Sequence, residues 1–261
     1  MKKTIAVINS LHNRYYALGK CAIDSFKKWH PKIDMFIVND ETVSQFNDDE
    51  IIKKIHADSE LINMDGILNY ARAYCFAKNN GCAKLIILGG DTITCSRLDE
   101  FLDNDKDDVL ATLNYPMPEV ISEDIKTGLW EWEEEDENGN ITIVRDSNNL
   151  NADVICFNNL DALKEIIDIA MERKYGWGEQ GGLNEIFYHQ KYSFNVVDGP
   201  YPLSEVVYNA RSKGTVGTNM FGPGCPTTRF FVNDNKLFTE DGHQIKVWHY
   251  CDGLGSIMAL E

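Results

Sequence analysis

Positive charge is what this chain of 261 residues has least of: 25 Lys and Arg stand against 41 Asp and Glu, a formal net charge of −16 at pH 7. Nucleic acid and anionic membrane surfaces reward clustered cations, so neither is expected as the main partner. A small anion is not excluded, because backbone N–H groups, a metal and one or two cations can hold a phosphate in an otherwise acidic protein. Long apolar runs are missing too. No stretch approaches the roughly 18 residues of a membrane span, and the apolar part of the opening MKKTIAVINS is too short for the core of a secretory signal. The expectation is a cytoplasmic protein, or one peripheral to a membrane, with no integral membrane segment. Cysteine is sparse and unpatterned: there are seven, an odd number, and Cys75 and Cys82 lie too far apart for a zinc knuckle. They read as reduced core thiols. Repeats and linker-like tracts are also lacking, which makes residues 1–261 one domain.

What is present is an alternating pattern. A hydrophobic content of 43% with 11% aromatics is that of an ordinary globular protein. A strand over Thr4 to Asn9 precedes a helix over about Tyr15 to Lys28, with Tyr15, Leu18, Ala22 and Phe26 at helical spacing, and His30-Pro31 stops it. A strand from Met35 to Asn39, a polar helix over about Asp48 to Lys54 and a stronger helix ending at Asn79 before Gly81 follow. Strands over Leu85 to Leu88 and Val109 to Leu113 flank a short helix through Leu102. This β-α-β-α order calls for a mixed, mainly parallel sheet with helices on both faces, whose ligands sit at the carboxyl ends of the strands. Asn9, Asn39 and Asp91 all fall at such ends.

The middle of the chain differs. LWEWEEEDENGNITIVRD alternates apolar and acidic residues around an Asn-Gly turn, the pattern of a β-hairpin. Its acids suit a flap over a site or, as the better reading, a solvated edge protected from pairing. A buried strand over Val154 to Phe157 then leads into a helix from Leu160 to Arg173 with Leu163, Ile166, Ile167 and Ala170 inward, and a further strand lies near Phe194 to Val197. The last fifty or so residues suit loops and short strands wrapping the domain.

The most informative stretch is AKLIILGGDTITCSRLDEF. An apolar run passes through Gly89 and Gly90 into one acid, Asp91. A strand end can fix a carboxylate for a hard cation, and glycines let a ligand approach the backbone. The competing reading is a helix cap made by Asp91, Thr92 or Thr94.

From here the chain resembles the GT-A glycosyltransferases, and most of all their family 8. KLIILGGDTITCSRLDEFLD is similar to their hydrophobic strand, Asp-x-Asp-Thr and following loop. IAVINSLHNRYYALGKCAIDSFKKWHPKIDMFIVND is similar to their opening, and YARAYCFAKNNGCAKLIIL to the helix carrying a donor-binding Arg. LNADVICFNNLDALKEI is similar to Asn-x-Gly-Val with its helix, WGEQGGLNEIF to Asp-Gln-Asp-x-Leu-Asn, and VWHYCDG to a late His motif. The segments occur in the family's order and cover about two-thirds of the chain. The resemblance implies a Rossmann-like GT-A sheet with a nucleotide-binding half over 1–115 and an acceptor-side half over 116–261.

It further implies transfer of a hexose from a nucleotide-sugar, a UDP-sugar first of all, to a carbohydrate or other hydroxyl acceptor, with retention of configuration and with Mn²⁺ or Mg²⁺. Asp91 and His249 would ligate the metal. Asn9, Asn13 and Tyr15 would bind the nucleoside, and Arg72, Gly90, Asp91 and Asn184 would belong to the donor site. Glu179 would bond sugar hydroxyls, Gln180 would lie beneath the anomeric carbon, and Asn184 would support their helix. Trp177 is either a sugar platform or core, and Arg211 and Lys213 read as solvated loop cations.

The departures are as specific as the likeness. Gly89 stands where the first acid of Asp-x-Asp belongs, Gly181 replaces the last acid of Asp-Gln-Asp, and the Lys expected after the late His is missing. Three readings stay open: Asp252 or another acid nearby substitutes, the enzyme is slower and more metal-dependent, or the chain binds nucleotide or glycan without transfer. A sugar nucleotidyltransferase ranks lower, because NSLHNRYY offers no glycine and one Arg where such enzymes carry a glycine-rich basic loop. His12, His30, His56, His189 and His243 read as surface or helix-end histidines, with His243 a rival of His249 as ligand.

Overall fold

The computed structural model describes residues 3–9, 16–39, 42, 44–61, 64–113, 131–145, 150–175, 178–196, 207–209, 230–234, 236–239 and 244–249. Strands β1 (Thr4–Asn9), β2 (Asp34–Val38) and β3 (Lys84–Gly89) are followed by β4 (Thr92–Thr94) and β5 (Val109–Leu113). Strands β6 (Glu131–Glu135) and β7 (Ile141–Arg145) form the hairpin, and β8 (Leu150–Phe157) and β9 (Phe194–Val196) return to the centre. Short strands β10 (Val207–Asn209), β11 (Phe230–Asn233), β12 (Lys236–Thr239), β13 (Gln244–Ile245) and β14 (Val247–His249) come last. The helices are α1 (Tyr16–Trp29), α2 (Glu50–Ala57), α3 (Met64–Asn79), α4 (Asp99–Asp103), α5 (Leu160–Arg173) and α6 (Glu179–Tyr188). Among the described residues no helix is long and apolar enough to cross a membrane.

The central sheet runs β2-β1-β3-β8-β5-β9. β1 pairs parallel with β2 and β3, and β5 parallel with β9, whereas β8 is antiparallel to both β3 and β5. The sheet is therefore mixed with parallel pairs in the majority, as the alternating sequence implies. Every residue of β3 is buried, which is why KLIILG reads as an unbroken run rather than an alternation. Its side chains divide by the pleat: Leu85 and Ile87 join one core with α2, α3, α5 and α6, while Ile86 and Leu88 join the other with Ala22 and Phe26 of α1 and Phe101 of α4.

Buried polar groups pin these layers. Lys84 is 2% exposed at the start of β3, and its Nζ donates to the carbonyls of Phe101, Leu102 and Asn104 at 2.7–2.8 Å. Those carbonyls end α4, which has no further turn to satisfy them. His30, just past α1, accepts a hydrogen bond at Nε2 from the Leu98 N–H, 3.2 Å, and lies against the Phe26 ring. It is a helix-end histidine as expected, but a buried one, and burial brings its pKa down to about 4. His56 and His189 also lie at helix ends, both exposed, and His12 and His243 are outside the described residues.

Element boundaries moved for local reasons. The second helix begins at Glu50 because the Asp49 carboxylate caps it, accepting from the Ile51 N–H at 3.0 Å. β8 starts four residues before the expected Val154: Asn151 and Asp153 break the apolar pattern without ending the strand. Between α5 and α6 the approach is closest at Gly182, where a Cβ would come within 2.4 Å of the Ile166 carbonyl oxygen. The described cysteines are free, with Cys75 and Cys156 buried.

Two measurements check this packing. Gly182→Ala forces a methyl onto backbone that cannot yield cheaply, and urea melts should show a loss of about 1–3 kcal/mol. His30 is neutral when folded yet titrates at 6.5 when unfolded, so the unfolded chain binds the extra proton first. Stability contributed there is complete above about pH 6.5 and falls away toward pH 4; in His30→Gln that part of the pH profile should be flat.

Candidate functional site

Asp91 sits in the turn joining β3 to β4, at the carboxyl end of the central strand. Gly90 beside it is buried, and the Thr92 hydroxyl donates to the Gly89 carbonyl at 2.8 Å, closing the turn. The helix-cap alternative fails here: α4 begins only at Asp99, its N-cap is Leu98, and no side chain caps it. Asn9 ends β1 opposite Gly89, and Val38 ends β2 opposite Asn9, so three strand ends align. Asn39 is used locally, its amide oxygen accepting from the Thr42 N–H at 3.0 Å.

The C-terminal part of the chain reaches this edge as a strand. β14 lies antiparallel to β4, with His249 opposite Thr92, Trp248 opposite Ile93 and Val247 opposite Thr94. β10 adds to the other side of β14, placing Asn209 opposite His249. The backbone of His249 thus stands one residue from Asp91, although 157 residues separate the two in sequence. Ser25 of α1 secures β4 by accepting from the Thr94 N–H at 3.0 Å, and Lys246 pairs with Glu100.

The start of α6 forms the other wall. Glu179 and Gln180 open that helix, and Gln180 is 7% exposed. The Glu179 carboxyl enters a gap in the first turn of α3: a Cβ on Gly66 would stand 2.0 Å from its Oε2. That oxygen is buried and has no hydrogen-bond partner. Burial, with the charge of Asp153 adding to it, raises the Glu179 pKa from 4.5 to about 8, so the group is mostly protonated at neutral pH. Asn184, fully buried, accepts from the Leu150 N–H at 2.8 Å and donates to the carbonyls of Gln180 and Leu150. It ties α6 to β8 and to the Gln180 carbonyl, and its amide is taken up by backbone. Gly181 carries no side chain because the Tyr175 ring occupies that space, 2.2 Å from where its Cβ would be. An acid cannot stand there while Tyr175 bonds the buried Glu185 carboxylate.

Arg72 is 3% exposed on α3; burial lowers its pKa against the pull of Asp65, and its Nε has no partner. The hairpin β6–β7 packs through Trp132 on Tyr188 and His189, the far end of α6 from Glu179. Its Ile141 and Ile143 are exposed, and a cavity of about 550 Å³ between its acids, Glu172, Arg173 and His189 opens to the surface. The described hairpin is a separate two-stranded sheet that buries Trp132 and Val144 and exposes its Ile141 and Ile143 edge. Asn13, Tyr15, Trp177, Arg211, Lys213 and Asp252 lie outside the described residues, and for Asn9 and His249 the backbone alone is described.

Sequence reading missed Asp153. The ideal Cβ position on Gly89 lies 2.8 Å from Asp91 Oδ1 and 3.0 and 3.2 Å from the Cβ and Cγ of Asp153. Two carboxylates therefore flank the gap left by a glycine, and oxygen donors of this kind suit a hard divalent cation. Among the described residues no three His, Cys, Asp or Glu side chains already form a metal-ligating group. The only available hint was a charged residue inside an apolar strand.

No family model matches this sequence, and no curated protein does. Among solved structures, the apo form of the bifunctional glycosyltransferase WbbM is 15% identical over 80% of this chain and 40% of its own, with a TM-score of 0.47. This chain thus spans less than half of that protein. The galactosyltransferase LgtC, in complex with donor and acceptor sugar analogs, is 13% identical over 95% of this chain and 87% of its own, with a TM-score of 0.46. At such identities and scores these likenesses say nothing of chemistry.

The buried carboxyl gives a direct check. Between pH 4.5 and about 8 the unfolded chain ionises Glu179 while the folded chain keeps the proton, so this group costs stability as pH rises through that window. Glu179→Gln should therefore melt higher than the wild type at pH 8.5, by about 3 °C or more, and nearly alike at pH 4.5.

Proposed function

We propose that the protein is an enzyme, a glycosyltransferase that moves a hexosyl group from a nucleoside-diphosphate sugar, with UDP as the nucleotide, to an acceptor hydroxyl. The observation that carries this reading is the pairing of β14 with β4, which sets the backbone of His249 beside Asp91 at the aligned ends of β1, β2 and β3. Open sheets bind ligands at this edge. Asp91 and His249 would hold a divalent cation, Mn²⁺ or Mg²⁺, and that ion when bound would neutralise charge on the departing diphosphate.

The chain's own residues position the rest. Asn9, Asn13 and Tyr15 would bind the nucleoside, with the Tyr15 ring to stack on the base. Arg72, buried with a free Nε–H donor, offers a fixed contact for a donor oxygen. Glu179, mostly protonated, would donate to a sugar hydroxyl rather than repel the diphosphate, and Gln180 would lie beneath the anomeric carbon. The C1–O bond to the diphosphate breaks, the acceptor oxygen bonds C1, and the acceptor proton leaves with the diphosphate. Front-face attack assisted by the departing diphosphate would retain the configuration at C1. Binding energy at both ends of the donor would serve mainly to align these atoms.

Thermal shift with UDP, GDP and CDP, each with and without Mn²⁺, tests the donor. UDP should stabilise only when Mn²⁺ is present, and one UDP-hexose should release UDP slowly in water. Stabilisation by a nucleoside triphosphate with a sugar 1-phosphate instead would indicate nucleotidyl transfer. Stabilisation by UDP without turnover of any UDP-hexose, acceptors included, would indicate a binding protein.

A further inference from the structure

We propose that Asp153 supplies the carboxylate missing at Gly89, so that Asp91, in the turn after β3, and Asp153, on the antiparallel neighbour β8, form the acid pair facing the divalent ion. This inference rests on the divalent-ion reading above. β8 and β3 are in register at Val154 and Leu88, which sets Asp153 against Gly89 at the strand end. Asp153 is the one residue of β8 that is not buried; the other seven are.

The strand is also shaped to present it. Pairing of β8 with β5 jumps from Ile155 opposite Ala111 to Asn151 opposite Thr112, so residues 152–154 bulge out of the β5 ladder. Bulges re-aim side chains. Four of its backbone groups are held by side chains: the Asn151 amide oxygen accepts from the N–H groups of Asp153 and Val154 at 2.7 and 3.1 Å, the Tyr70 hydroxyl donates to the Ala152 carbonyl at 2.7 Å, and Thr112 donates to the Val154 carbonyl at 3.1 Å. Nearby, on the opposite wall, Glu179 Oε2 is buried against Gly66 without a hydrogen-bond partner, and the charge of Asp153 acts on its carboxyl.

The two departures from the expected motifs then explain each other. In LNADV an acid stands where Asn-x-Gly-Val has glycine, and in LGGDT a glycine stands where Asp-x-Asp has acid. A side chain on residue 89 would put its Cβ 3.0 Å from that of Asp153 and 2.8 Å from Asp91 Oδ1, so it would crowd both carboxylates and one of them would have to shift.

Mn²⁺ titration of the full chain by calorimetry or electron paramagnetic resonance, with and without UDP, tests this. Asp153→Asn and Asp91→Asn should each weaken Mn²⁺ by about tenfold or more, with melting in EDTA close to wild type. Asp153→Gly should do the same, and the exchange variant Gly89→Asp with Asp153→Gly should recover most of the affinity. Wild-type Mn²⁺ affinity in Asp153→Asn, with Asp91→Asn impaired, overturns the proposal and leaves the transfer reading intact. A wild type that binds no Mn²⁺, alone or with UDP, overturns both. Loss of Mn²⁺ affinity in Asp153→Asn in a protein that turns over no UDP-sugar upholds this pair and removes the transfer reading alone.

Discussion

The meeting of β8 with β3 at Gly89 is the constraint from which the candidate site follows. Because residue 89 lacks a side chain, the turn carrying Asp91 and the bulge carrying Asp153 close on one small volume. The bulge holds its shape through Asn151, Tyr70 and Thr112, which come from β8 itself, from α3 and from β5. Three elements thus determine where one carboxylate points. Rigid delivery of this kind matters for a cation site, since hard ions bind well only where oxygens are already near their final positions.

A comparable use of small residues shapes the opposite wall. Gly66 admits the Glu179 carboxyl into the first turn of α3, Gly181 yields its place to the Tyr175 ring, and Gly182 lets α6 lie against the Ile166 carbonyl. The helix that carries Glu179 and Gln180 is therefore seated by absent side chains on three of its contacts. Asn184 then links it to the first residue of β8, so the wall is bonded to the acid-bearing strand. Burial that keeps Glu179 protonated follows from the same tight seating.

Much of this was legible from local pattern. The limits of β1, of β5 and of α5, the positive-φ Gly81 after α3 and the Asn-Gly hairpin agree with what periodicity and turn chemistry give. Asp91 at a strand end was equally plain, since an apolar run followed by two glycines and an acid admits few other readings. The strand over Leu150 to Asp153 was not, because Asn151 and Asp153 look like a loop until Asn151 is seen bonding the bulge it precedes. Nor could His30 be distinguished from a surface histidine without Leu98, 68 residues away, as its partner.

By itself, then, the sequence determined the alternation of strands and helices, the acidic surface and the residue types at each strand end, because these follow from propensity, period and charge that neighbours along the chain carry. Which acids share a volume was decided only in three dimensions. Asp91 and Asp153 lie 62 positions apart and His249 farther still. Their proximity comes from antiparallel pairing of β3 with β8 and of β4 with β14, and strand register across such separations is set by burial on both faces of the sheet, which no local stretch of residues encodes.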